Sequence, residues 1–244
     1  MSDPVVQRYR AARRDPDLAL LEGFHALKHA LRFGADVVEA VATDPAELDR
    51  LAANLAPDLA GSLAQRTATV DGALLAELVP HAPRTGVVAI ARRPTADVAA
   101  VLGDERRAPV VLLEDPRTMG NMGACVRVAA AADAAAVLTT GSNDPWHPEA
   151  LRGAAGLHFA LPVARIDVLL DKNRPLIAID PEGELLGEGE LDPRAILAFG
   201  TERYGLSEEL LAQADARLAI PMRDGVSSLN LATAVAAVLF SSRL

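Results

Sequence analysis

The sequence predicts an α/β protein whose C-terminal part is built on a mostly parallel sheet. Short apolar runs at Val110–Leu113, Ala136–Thr140, Pro175–Ile179, Ala195–Phe199 and Arg217–Ile220 read as strands buried on both faces. Ala-rich segments with helical spacing accompany them, and strands alternating with helices are the pattern of a parallel sheet. Half of the 244 residues are hydrophobic, enough to cover such a sheet.

The elements follow in order. Leu20–Leu31 predicts a helix, with Leu27 and Leu31 one turn apart. Asp36–Thr43 alternates like a strand, and Asp44-Pro45 fits a helix start with Pro in its first turn. Asp71–Val79 predicts a short helix and Thr85–Ala91 a buried strand. A small α/β domain over residues 1–93 is therefore expected. Residues 94–107 hold Asp97, Asp104, Glu105, Arg106 and Arg107 around a short Ala/Val run and read as a linker with room for a helical turn. The second domain is expected over 108–244. Asn121 is placed to cap its first helix, which carries Met122, Val126, Ala129 and Ala130 on one face. Phe159–Val163 reads as a further strand and Glu182–Asp192 as a Gly/Glu-rich turn region. The last helix is expected to open at Ser227 or Ser228 and to bury a stripe of Leu231, Val235, Val238 and Leu239.

Composition narrows the function. Aromatic residues are only 3%, too few for base stacking to be the main hold on a nucleic acid. The single cysteine, Cys125, excludes an intramolecular disulfide and a Cys-rich zinc site. No apolar run approaches the ~20 residues of a membrane span, and the first residues lack the apolar core of a signal peptide. A cytoplasmic protein without membrane contact is expected. The net charge of −9 argues against a general nucleic-acid binder. It is uneven: residues 1–107 hold 13 Lys+Arg and 15 Asp+Glu, whereas 108–244 hold 11 and 18. Arg8, Arg10, Arg13 and Arg14 form a basic arm, read either as an RNA contact or as solvated surface charge.

Three segments place polar groups where an apolar strand runs into a Gly-bearing loop. They are Asn121-Met-Gly-Ala-Cys-Val-Arg127, Phe199-Gly-Thr-Glu-Arg-Tyr-Gly-Leu206 and Ile220-Pro-Met-Arg-Asp-Gly-Val-Ser-Ser-Leu-Asn-Leu-Ala232. The last would be an ordinary Ser-capped helix if it stood alone. In this order and spacing the three resemble the motifs of the SpoU (TrmH-like) branch of the SPOUT RNA methyltransferases, over roughly residues 108–242. Glu22-Gly23 and Gly86-Val-Val-Ala89 are similar to features of the kink-turn-binding ribosomal-protein-like domain that precedes the catalytic domain in that family. The resemblance implies a deep trefoil knot in the C-terminal domain, S-adenosylmethionine bound in the knotted loops, a homodimer with active sites near the subunit interface, and methyl transfer to a ribose 2′-hydroxyl in rRNA or tRNA.

The same resemblance assigns roles. Arg127 is placed in the catalytic centre, acting from the partner subunit. A guanidinium with a pKa above ~12 is a poor proton acceptor, so a bidentate grip on the target phosphate is the physically sound role. Asn121 lines the site or caps its helix, or does both. Glu202 orients Arg127 or polar substrate groups, and Ser228 with Asn230 forms the polar pair of the third motif. Phe199, Gly200, Gly205, Ile220, Met222, Ser228, Leu229 and Asn230 surround the cofactor, and Arg152 faces RNA. No metal is demanded, because a sulfonium donor is already reactive. The chain departs from the family in three places: Ala154 stands where a Ser is usual, Asp115-Pro116 lies further from Asn121, and Ala132-Asp133 replaces a Phe-Gly helix end. A non-catalytic RNA-binding or ribosome-associated protein of the same fold is the competing reading. A dinucleotide-binding enzyme is a poor third, because the first helix lacks Gly-x-Gly-x-x-Gly after its strand.

Overall fold

A computed structural model describes residues 3–168, 173–187, 191–201 and 204–241. The chain forms two compact units, Met1–Thr95 with Trp146–Ala160, and Ala96–Pro145 with Leu161–Leu244. Residues 146–160, expected in the C-terminal domain, thus group with the N-terminal unit.

The first unit opens with α1 (Pro4–Ala12), capped by the Asp3 side chain, which accepts from Val5 N at 2.8 Å. Its Val6, Tyr9 and Ala12 are buried, and the Tyr9 hydroxyl donates to the Val88 carbonyl at 3.2 Å. Of the basic arm, Arg8 and Arg10 therefore lie on the outer face of a packed helix, and Arg13 and Arg14 in the turn that follows it. Strand β1 (Leu18–Glu22) and helix α2 (Phe24–Arg32) replace the single helix expected from Leu20. An apolar leucine run does not by itself distinguish strand from helix. Pairing of β1 with a later strand decides for strand, and Gly23 at φ +105 ends it. β2 (Val37–Ala42), α3 (Pro45–Leu55), α4 (Ala60–Arg66), β3 (Thr67–Thr69), α5 (Gly72–Leu78) and β4 (Val87–Arg92) follow. The sheet order is β1-β4-β2-β3, with β4 antiparallel to both neighbours and β2 parallel to β3. Asp44 and Asp71 cap α3 and α5 through their carboxylates. Helices α1 and α5 bury Val6, Tyr9, Leu75 and Leu78 against Leu20, Val41, Val88 and Ile90.

In the second unit the expected linker contains α6 (Val98–Gly103), capped by Asp97. Then come β5 (Val110–Leu113), α7 (Met119–Ala131) and β6 (Ala136–Thr139). After α8 (Pro148–Gly153), which belongs to the first unit, the chain makes β7 (Val163–Arg165), β8 (Leu176–Leu185), β9 (Ile196–Phe199), α9 (Glu208–Gln213), β10 (Ala216–Ala219) and α10 (Leu231–Ser241). The sheet order is β10-β8-β9-β5-β6-β7, and every pair is parallel. All of β5, β6 and β9 is buried, as their continuous apolar runs require.

Four boundaries differ from expectation. Helix α7 starts at Met119, with Met122 N bonded to the Thr118 carbonyl at 3.0 Å, so Asn121 sits inside the first turn rather than before it. Leu157–Phe159 is a 3-10 turn, and strand pairing waits until Val163, past Pro162, which has no N–H to donate. Strand β8 runs on to Leu185, into the expected turn, while residues 188–190 lie outside the described residues. Helix α10 starts at Leu231, not at Ser227 or Ser228: the Asn230 carboxamide accepts from Ala232 N at 3.0 Å and Thr233 N at 3.4 Å. The stripe Leu231, Val235, Val238 and Leu239 is buried as predicted. Asp133 closes α7 at φ +50, the left-handed position that Gly usually takes.

Arg174 ties α6 and the segment after it to the sheet. It is 2% exposed and donates to the carbonyls of Leu102 (3.2 Å), Asp104 (2.8 Å), Ala108 (2.7 Å) and Arg194 (3.2 Å). Burial holds its pKa below the ordinary arginine value. Arg174→Met removes these donors and leaves carbonyls short of partners. The expected loss is about 3 kcal/mol, measured as a lower urea midpoint with an unchanged slope.

Segment 146–160 is held within the first unit by specific contacts. Arg152 forms an ion pair with Glu22, whose side chain is buried. His29 Nδ1 lies 2.7 Å from the Ala155 carbonyl, to which it donates. Burial lowers the His29 pKa, and the Ala155 bond opposes this. The unfolded chain therefore takes up the proton first as the pH falls. Stability contributed by His29 is present above about 6.5 and is lost below it. Melting temperature should drop between pH 7.5 and 5.5 by more in the parent protein than in His29→Gln, and equal drops would remove His29 as a cause.

Candidate active site

The carboxyl ends of β9 and β10 and the middle of β8 open into a cavity of about 330 Å³. This is where open parallel sheets bind ligands, and the volume lies at the lower end of the roughly 300–1,000 Å³ usual for small-molecule sites. Strand β8 contributes Ile179 and Asp180, and β9 contributes Phe199, followed by Gly200 and Thr201. The segment after β10 contributes Ile220, Met222, Ser227, Ser228 and Leu229, and α10 adds Leu231 and Ala234.

Each wall has a local cause. The chain after β9 turns back on itself: Thr201 N donates to the Gly205 carbonyl at 3.1 Å and Gly205 N to the Thr201 carbonyl at 3.0 Å. A β-carbon on Gly200 would overlap the Gly205 backbone, so only Gly lets this loop close. Glu114, just after β5, anchors the far end of the loop, where it accepts from Ser207 N at 2.7 Å and Ser207 Oγ at 2.6 Å. Ser207 in turn caps α9.

A second cavity of about 410 Å³ adjoins the first. Pro116, Arg117, Thr118, Asn121 and Tyr204 border it, and Thr201 and Leu231 line both cavities. Asn230 Nδ2 donates to Asn121 Oδ1 at 3.2 Å, which joins the first and third motif segments. Arg117 is paired with Asp115 at 2.5 Å. The longer loop before Asn121 thus presents a polar rim.

Of the expected cofactor residues, Phe199, Gly200, Gly205, Ile220, Met222, Ser228 and Leu229 line the first cavity. Asn230 stands beside it as the cap of α10. Asn121 borders the second cavity. Glu202 lies outside the described residues. Arg127 is exposed on α7 and lines neither cavity. Arg8, Arg10, Arg13, Arg14 and Arg152 all belong to the first unit. There Arg8 is paired with Glu39 and Arg13 donates to the Leu78 carbonyl, whereas Arg10 and Arg14 are exposed. Sequence reasoning missed Asp180 and Glu114. The available signal was an acid directly following an apolar strand in both cases.

A parallel sheet with this cavity beside its strand ends defines an open α/β protein of the kind that binds a ligand at that place. The chain belongs to the SpoU rRNA Methylase family, whose model matches residues 108–240. It is 31% identical to an uncharacterized tRNA/rRNA methyltransferase of Synechocystis sp., over 99% of this chain and 91% of that protein. It is 27% identical to the 23S rRNA (adenosine(1067)-2'-O)-methyltransferase of Streptomyces azureus, over 98% of this chain and 92% of the other. The fold matches the crystal structure of the SpoU methyltransferase AviRb from Streptomyces viridochromogenes in complex with AdoMet, with a TM-score of 0.77, 23% identity, and coverage of 99% of this chain and 97% of that one.

Proposed function

We propose that this protein is an S-adenosylmethionine-dependent RNA methyltransferase that modifies a ribose 2′-hydroxyl in rRNA or tRNA. The observation that carries the reading is the meeting of the three motif segments: the second and third wall one cavity, and Asn230 joins them to Asn121 at the adjoining one. The first cavity suits the cofactor. It combines apolar faces from Phe199, Ile220, Met222 and Leu229 with the close backbone of Gly200 and Gly205 and the hydroxyls of Ser227 and Ser228. When bound, S-adenosylmethionine supplies a methyl group already activated on a sulfonium.

The second cavity, bordered by Arg117, Asn121 and Tyr204, receives the target nucleotide. Holding donor and acceptor in adjoining cavities turns a bimolecular transfer into a positioned one. Asn121 and Asn230 orient the acceptor, and Arg127 of a partner subunit grips its phosphate. A homodimer belongs to this proposal. Its support is the packing of α7 on α10, which leaves Arg127 and Phe240 exposed on that pair of helices. The trefoil knot is part of the same reading, supported by the return of the C-terminal helix α10 onto α7. A cytoplasmic location fits an RNA substrate. Arg10 on α1, Arg14 in the turn after it and the half-exposed Arg152 are the RNA contacts proposed for the first unit, and rRNA is favoured by the 23S rRNA relative.

The test is methyl transfer from labelled S-adenosylmethionine to unmodified rRNA and tRNA transcripts, with nucleoside analysis of the product. A labelled 2′-O-methylnucleoside is expected. Cofactor binding without transfer to transcripts or to ribosomal particles would favour the non-catalytic RNA-binding reading.

A further inference from the structure

Asp180 is the one acidic side chain among the described residues that line the first cavity, and its environment is lopsided. It is 9% exposed. Its Oδ1 accepts from Arg217 Nε at 3.0 Å, Arg217 Nη2 at 2.6 Å and Glu182 N at 2.8 Å. Among the described residues no donor reaches Oδ2. That oxygen lies 3.8 Å from where a β-carbon of Gly205, another lining residue, would stand.

The backbone supplies a second, independent observation. Strand β8 pairs with β9 as far as Ile179↔Phe199. On its other side its partner residues for β10 jump from Ala178, opposite Arg217, to Glu184, opposite Leu218. Residues 179–183 therefore have no partner on β10, and past Ile179 the strand has none on β9 either, an excursion that carries Asp180 to the cavity. Such irregularities re-aim side chains next to functional sites. Gly183 closes the excursion: a β-carbon there would lie 2.6 Å from the backbone of Arg217 and Leu218.

We infer that Asp180 accepts hydrogen bonds from the ribose hydroxyls of the bound cofactor and selects for an intact vicinal diol, an inference that rests on the methyltransferase reading above. The charge of Asp180 is answered on Oδ1 by Arg217, so the cavity is offered an acceptor rather than an uncompensated negative charge. That suits neutral O–H donors better than a sulfonium or ammonium. A single carboxylate oxygen carries two lone pairs, enough for both hydroxyls of a diol. The apolar side chains Ile220, Met222 and Leu229 come from the segment after β10 and suit the purine, which leaves the sugar to the β8 excursion. An acid that reads ribose hydroxyls at a strand end is a general solution in nucleotide-binding sheets.

Calorimetry on the full-length protein tests this with S-adenosylhomocysteine and its analogue lacking both ribose hydroxyls. The parent protein should bind the intact ligand at least tenfold more tightly. In Asp180→Asn that preference should shrink to threefold or less, while S-adenosylmethionine and S-adenosylhomocysteine lose affinity by the same factor. Equal binding of both ligands by the parent protein overturns the inference and leaves the methyltransferase reading standing. An equal loss for both ligands in Asp180→Asn would show that Asp180 acts only through Arg217 and the wall, and also overturns it. A loss confined to S-adenosylmethionine would make Asp180 a counter-ion instead. If neither parent ligand binds, the methyltransferase reading fails and this inference fails with it.

Discussion

Arg127→Ala is expected to lower methyl transfer at least about 100-fold, the scale of losing one pre-organised group that holds developing charge or substrate. S-adenosylhomocysteine affinity should stay within about twofold, because Arg127 is exposed on α7 and lines neither cavity. The two readouts separate roles. A guanidinium keeps its proton at any working pH, so its loss removes a phosphate grip and not a base. Arg127→Lys keeps the charge but not the fork, and should fall between parent and alanine variant. The pH profile of the residual activity should be unchanged, whereas loss of a base would flatten one limb. The proposed homodimer, with its site shared between subunits, adds a sharper expectation. Arg127→Ala protein mixed with a variant whose own cofactor cavity is broken should regain activity, because one mixed dimer holds an intact cavity and an intact Arg127 facing it. Activity of Arg127→Ala within threefold of the parent would remove Arg127 from the catalytic centre.

The sheet of the second unit was legible because its strands are buried on both faces. Val110–Leu113 and Ile196–Phe199 had to be apolar throughout, and they are. The stripe on α10 was legible for the parallel reason, since a half-buried helix writes its period into its residues. Leu18–Glu22 was not, because a leucine run satisfies strand and helix alike until its partner Val88–Arg92 is known. Segment 146–160 carries no local sign that it packs with the first unit; the Arg152–Glu22 pair joins residues far apart in sequence. In the candidate site, loops were readable where Gly and Asn punctuate them. Asp180 was not, because its place depends on a register jump between β8 and β10 that no single segment records. Glu114 was hidden likewise, as its partner Ser207 is ninety-three residues away. The helix cap went to Asn230 and not to the serines because a capping side chain must lie at the first turn, and the loop after β10 is longer than the serines suggest.

Gly200→Ala is expected to weaken cofactor binding by roughly 5- to 150-fold while leaving the fold in place. A β-carbon at this position would overlap the Gly205 carbonyl group and Leu206 N, which are backbone atoms and have no rotamer by which to move aside. The loop must therefore open, and opening breaks the paired bonds between Thr201 and Gly205 that hold the wall of the first cavity. Forcing an extra carbon into a packed place costs about 1–3 kcal/mol. Set against the closed, ligand-binding form of the loop, that cost is roughly 5- to 150-fold in the dissociation constant. The loop lies at the surface end of β9 while Ile196–Phe199 beneath it stay buried, so global stability should change much less than affinity. Calorimetry with S-adenosylhomocysteine and a urea titration on the same preparation separate the two. Unchanged affinity would mean that the closed loop is not the cofactor wall. An equal loss in affinity and stability would mean that Gly200 serves the fold first and the site only through it. The expected result, a large loss of affinity on a nearly intact fold, would tie the second motif to the ligand through backbone packing alone, with no side chain at that position.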